Sequence, residues 1–182
     1  MDISMVEDIQ KAIDLLQKVV DEKSPPVDSK FSKYFTLEEV TRSRVATRQG
    51  INNKPTKAIE TQLQHICKFI LDPIREKFGV PIKVTSGYRC AKLNEVIGGS
   101  PKSQHMCKNL DAAIDFRFIG NKIDLEECFK WITQESNLDY DQCIAEFLPG
   151  GWIHISYKIN GPNRKKTTIA KKEKGKTVYV NV

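Results

Sequence analysis

The sequence predicts an α+β protein in which helices pack on a small, mainly antiparallel sheet. Three observations predict it. Apolar residues recur at helical spacing through the first half of the chain. Short β-branched and aromatic runs, separated by turn residues, fill the second half. Helices therefore come first and strands later, instead of alternating as they do around a parallel sheet.

Each element has its own signal. Val6, Ile9, Ile13, Leu16 and Val20 repeat at helical spacing over residues 5–22. The stretch SPPVDS at 24–29 interrupts that pattern, so residues 1–28 are expected to form a helix and linker ahead of a main domain, 29–182. Thr36 with Glu39 three residues on predicts a capping box for a short helix. Ile59, Leu63, Ile66, Ile70 and Ile74 stripe one face of a long helix, which Pro73 should kink or split and Gly79 should end. PIKVTS reads as a strand and AKLNEVIGG as a helix stopped by Gly98 and Gly99. A strand is expected at 112–118, and Asp124 should cap a helix running to about Ser136. QCIAEFL and WIHISYK are two strands joined by residues 149–151. TTIA and TVYVNV form a closing hairpin around KEKGK.

Composition narrows the functional classes. No window of 18 apolar residues is present, so no membrane span is expected. The start, MDISMVEDIQ, lacks a signal-peptide pattern, and synthesis in the cytoplasm is expected. Five cysteines without a CxxC pair argue against a disulfide framework or a zinc knuckle. The net charge of +6 lies entirely in residues 161–182, while residues 1–160 are balanced. That basic tail lacks the interleaved aromatics expected of nucleic-acid stacking, so nucleic acid is not the expected partner.

The chemistry centres on SQHMCKNLDAAIDF, residues 103–116. His105 in its loop and Asp115 in the following strand are both metal-ligand types. His154 in GWIHISY is a third, because it points away from the side taken by Ile153 and Ile155. With residues 149–151 as a three-residue loop, Leu148 pairs with Trp152, Phe147 with Ile153, and Glu146 with His154. Directly opposite Cβ atoms lie roughly 4.5–5.5 Å apart, so Glu146 would sit beside His154 as a general base. That register also sends Ala145 and Phe147 into the core. A two-residue loop would turn Glu146 away. Asp141 and Asp111 are the alternative bases. His65, on the long helix, reads as structural, and Cys107 as a conceivable ligand for a soft metal.

Five segments together resemble a known family. They are SGYR at 86–89, Leu93-Asn94 with Gly98-Gly99, Ser103-Gln104-His105, Ala113-Ile114-Asp115, and Trp152-Ile153-His154-Ile155-Ser156. They are similar to the zinc D-alanyl-D-alanine carboxypeptidases and cell-wall endopeptidases, nearest the small bacterial and phage members, over roughly residues 31–180. The resemblance implies a hedgehog/DD-peptidase-like fold and a Zn2+ cofactor held by His105, Asp115 and His154. It further implies a peptidoglycan peptide substrate, and the missing signal-peptide pattern fits a phage lysis protein released to the cell wall as well as other routes of export. Glu146 would be the base. Arg89 would polarise the scissile carbonyl or hold a substrate carboxylate, with Ser103 and Gln104 shaping the substrate-binding and ligand loop. A binding module of the same fold with impaired catalysis is the alternative.

Two features depart from the family pattern. Nine residues separate His105 from Asp115, a three-residue insertion, and the family's glycine in this loop is missing. Counting back from Asp115, Asp111 holds that glycine's place and is the runner-up ligand. In some branches an acidic base precedes the second histidine by three residues, where this chain has Gly151.

Overall fold

The computed structural model describes residues 31–182. The helix expected at 5–22 and the linker at 24–29 lie outside the described residues. Within them, helices and a six-stranded, largely antiparallel sheet form the expected α+β arrangement.

The helical layer begins with α1 (Leu37–Thr41) and α2 (Arg44–Arg48). Thr36 and Glu39 close the predicted capping box: Thr36 Oγ1 accepts the Glu39 N–H, and the Glu39 carboxylate accepts the Thr36 N–H. α3 (Lys57–Ile66) passes through a π turn (Cys67–Leu71) into α4 (Asp72–Phe78). Pro73 has no N–H to donate back into the preceding turn, and the wider turn absorbs that loss without breaking the rod. Leu63, Ile66, Ile70 and Ile74 are fully buried along one stripe, while Ile59 is half-buried. Asp72 anchors the entry to the domain by accepting from Ser32 Oγ (3.1 Å) and the Lys33 N–H (2.9 Å). Gly79 ends α4 in the left-handed conformation, as predicted.

The strands are β1 (Ile82–Ser86), β2 (Asp111–Phe118), β3 (Gln142–Glu146), β4 (Trp152–Lys158), β5 (Lys166–Glu173) and β6 (Lys176–Asn181). Their spatial order is β1-β2-β4-β3-β5-β6, and only β3 and β5 run parallel. Two short helices, α5 (Ala91–Val96) and α6 (Leu125–Lys130), complete the fold. β2 lies inside the sheet, and Ala112, Ala113, Ile114, Phe116 and Phe118 are all buried. Burying one such phenylalanine stabilises the fold by about 2–3 kcal/mol. Among the described residues no helix is long and apolar enough to cross a membrane. All five cysteines are free.

The β3–β4 connection differs from the sequence expectation. Five residues, 147–151, link the strands, and Glu146 stands opposite Trp152 while Ile144 stands opposite His154. The cause is Phe147. It adopts a positive φ of 54°, and its N–H donates to the Ala170 carbonyl of β5 at 2.9 Å. β3 therefore leaves the β3–β4 ladder two residues early. Phe147 leaves the core and packs on the Trp152 ring, with centroids 5.8 Å apart. The shift is two residues, so it preserves the face: Glu146 and His154 still project to the same side.

The inserted loop before β2 also carries strain. Cys107 and Leu110 both have positive φ, 54° and 53°, a region that costs a non-glycine residue roughly 1–2 kcal/mol. Leu110 is half exposed and loses little by truncation. Leu110→Gly should therefore stabilise the protein by about 1 kcal/mol, read as a higher urea midpoint at unchanged slope.

Candidate active site

Two segments that are distant in sequence clasp each other to place His105. Ser103 opens a single tight turn, Gln104–Met106. Within it His105 Nδ1 donates to the Gly87 carbonyl at 2.8 Å, and the His105 carbonyl accepts the Arg89 N–H at 3.0 Å. The first bond fixes the tautomer and turns Nε2 toward the sheet. Gly87 is required for this approach, because a Cβ there would lie 2.0 Å from the Val40 carbonyl oxygen. The neighbouring LN-GG motif works in a similar way. Asn94 is buried and donates to the Ser100 carbonyl at 2.9 Å, and a Cβ on Gly99 would strike its side chain at 2.3 Å.

The sheet supplies the other two donors. Asp115 on β2 and His154 on β4 are directly opposite in the ladder. Asp115 Oδ1 lies 2.7 Å from His154 Nδ1 and 3.2 Å from His105 Nε2. Its other oxygen, Oδ2, accepts from Arg89 Nη2 at 3.0 Å, and Arg89 Nε donates to Ser86 Oγ at 2.9 Å. Ligand-type atoms of His105, Asp115 and His154 all fall within 4.8 Å of one another, so the group could hold a metal ion. Burial alone would raise the Asp115 carboxyl, but the two imidazoles outweigh it and hold that carboxyl well below the usual range. Burial also lowers the His105 pKa, which favours a neutral imidazole able to donate a lone pair.

These residues floor a cleft of about 420 Å³. Arg89, Ser103, Gln104 and Glu146 also line it. Burial, then the charge of Asp115, raises the Glu146 pKa above the ordinary glutamate value, with His154 and Arg89 opposing. Gly151 cannot carry an alternative base. A Cβ there would sit 1.7 Å from the Glu146 carbonyl oxygen, so this position in the loop admits no side chain.

The remaining candidates fall elsewhere. Asp111 starts β2 opposite Lys158 and accepts the Asn109 N–H at 3.3 Å; it does not join the three-residue group. Cys107 is buried, and its thiol is pushed up to about 12, which opposes the thiolate a metal would need. His65 packs edge-on against Phe69, with centroids 5.5 Å apart, and does not line the cleft. Asp141 is fully buried and holds Arg164, Lys158 and Gln104 Nε2, the last at 3.0 Å. Gln104 thus ties the His105 turn to the start of β3.

Sequence reasoning missed two features. One is the Arg89–Asp115 ion pair. The other is Tyr179 on β6, which lines the cleft mouth. Trp152, Glu146, Ala170 and Tyr179 occupy one row across four strands. Only the strand order reveals that row, since Tyr179 lies 33 residues beyond Glu146.

Two imidazoles and a carboxylate meeting on a sheet face, with a further carboxylate in the same cleft, make a donor set suited to a metal-dependent hydrolase. Residues 33–156 match the family model for Peptidase M15, and the chain belongs to that family. Membership of a peptidase family makes it a hydrolase by class, with zinc the family norm. No curated protein matches the chain.

Asp141 yields a pH prediction. Burial raises its carboxyl pKa, but hydrogen bonds from Arg164, Gln104 and Lys158 prevail and set it at about 2, against 3.8 unperturbed. Its stabilisation is therefore present above 3.8 and is lost as pH falls through about 2. Asp141→Asn should cost about 2 kcal/mol at neutral pH. Urea unfolding at stepped pH should show the gap to wild type closing across that acid window.

Proposed function

We propose that the chain is a zinc-dependent peptidase that hydrolyses peptide bonds in peptidoglycan stem peptides. The convergence of His105, Asp115 and His154 in one cleft with Glu146 carries this reading, and the Peptidase M15 match supports it. His105 Nε2, Asp115 Oδ1 and His154 Nδ1 would hold the zinc. When bound, zinc supplies Lewis acidity, polarising the scissile carbonyl and acidifying a water.

The protein's own residues do the rest. Glu146 accepts the proton from the attacking water and returns it to the leaving amine. Arg89 holds Asp115 in place through Oδ2 and leaves Oδ1 between the imidazoles. Its planar fork also borders the cleft, where it can orient a substrate carbonyl or carboxylate. Ser103 and Gln104 set the turn that carries His105.

Glu146→Gln should keep the fold and the metal content while lowering turnover by about 10²–10⁴. His154→Ala should lose the metal itself. Elemental analysis and hydrolysis of purified cell walls, with and without chelator, measure both. Metal retention without hydrolysis in the wild type would favour a wall-peptide binding module. Because Glu146 must be ionised to act, the kcat/KM profile should show an acidic limb as its carboxylate takes up a proton. In Glu146→Gln that limb should disappear from whatever activity remains.

The basic hairpin has a separate expected role. Replacing Lys171, Lys172, Lys174 and Lys176 with glutamine should weaken wall binding at low salt and leave hydrolysis of a small soluble peptide unchanged. Equal losses on both substrates would make the hairpin part of the active site.

A further inference from the structure

A second groove, of about 500 Å³, adjoins the cleft and shares Arg89 with it. Its wall is the outer strand β1 from Lys83 to Ser86, continuing through Gly87 and Tyr88 to Arg89. Leu93 and Ile97 give it an apolar side. β1 is an edge strand, so one side of its backbone has no strand partner. Ser86 stands opposite Asp115 in the ladder, which brings the groove to the row of the candidate metal ligands. From that row to Lys83 is about 10 Å at roughly 3.3 Å per residue, the length of three extended residues.

The charge of the groove is one-sided. Arg42, Arg44, Lys83 and Arg89 line it, and no aspartate or glutamate does. Arg89 is paired with Asp115. Among the described residues, no ion pair engages Arg42, Arg44 or Lys83. Glu39 borders the adjoining surface together with Arg42 and Lys83, but its carboxylate is held in the Thr36 capping box.

Local structure does not account for these cations. Arg44 is the first residue of α2, where the helix dipole disfavours a positive charge. Lys83 by itself could be a guard against edge pairing. That use does not require arginines facing it across a groove that opens on the active cleft.

We propose that this groove is a substrate subsite, which binds an extended, carboxylate-bearing peptide segment next to the scissile bond. Arg42, Arg44 and Lys83 bind the carboxylates, and the outer edge of β1 offers hydrogen bonds to the peptide backbone. The inference rests on the peptidase reading and narrows its substrate to acidic peptides.

The test uses soluble stem peptides released from purified cell walls, and the same peptides with their carboxylates converted to primary amides. Binding is measured by titration calorimetry and cleavage by steady-state kinetics, with the zinc-loaded protein. The wild type should bind the carboxylate form roughly tenfold more tightly than the amide. Arg44→Gln with Lys83→Gln should abolish that preference, raising KM for the carboxylate form about tenfold at similar kcat and leaving the amide form unchanged. Arg44→Lys with Lys83→Arg should restore most of it. Both positions are exposed, and an unchanged melting temperature checks the fold.

A double variant that binds both peptides as the wild type does, or weakens both equally, overturns the subsite and leaves the peptidase reading standing. Binding with the predicted carboxylate preference but no cleavage supports the subsite and overturns the peptidase reading. A wild type that binds neither peptide overturns both.

Discussion

A buried carboxylate organises the active face. Asp115 is nearly inaccessible to water, and an unpaired charge there would be strongly destabilising. The protein meets it from three directions: His105 from the clasped turn, His154 from the neighbouring strand, and Arg89 from the segment after β1. Asp115 and its three partners lie on four different parts of the chain. The demand for compensation therefore draws the turn, both strands and the arginine segment into one register. Two of the groups that meet Asp115, the imidazoles of His105 and His154, are also donors that could bind a metal, so the stability of this region and its chemistry share contacts.

Rigid backbone approaches keep that cluster in place. Gly87 lets the chain pass against the Val40 carbonyl, and Gly99 lets it pass against Asn94. Neither glycine is needed for a left-handed turn; both are needed because a methyl group would not fit. Asp141 contributes at longer range by tying the His105 turn to the edge of β3 and to Arg164. A candidate ligand set assembled from separate segments needs such ties, because an error of about 1 Å in any donor would be felt by a metal it held.

How much of this was legible depended on the range of the interaction that set each feature. The capping box, the Pro73 interruption and the Gly79 stop were readable because a few adjacent residues determine them. The facing of His154 was readable because strand alternation fixes it whatever the loop length. The β3–β4 register was not. Phe147 takes its conformation with a bond to Ala170, a residue on another strand that no local pattern connects to it. The parity of the shift saved the inference that Glu146 faces the cleft. The Arg89–Asp115 pair and the position of Tyr179 required the folded sheet, since each joins residues more than 25 apart.

The single parallel pairing, β3 with β5, has a consequence for how the domain can be cut. The family match stops at residue 156, yet the strand carrying Glu146 is flanked by β4 on one side and β5 on the other. A fragment trimmed to the matched span would strip β3 of its outer neighbour and leave Glu146 on a raw sheet edge, with the Phe147 N–H deprived of its acceptor. Such a fragment would retain His105, Asp115 and His154 and still present a raw sheet edge prone to self-association. The sheet that carries the candidate site thus extends beyond the matched span, because the last hairpin serves as its selvage.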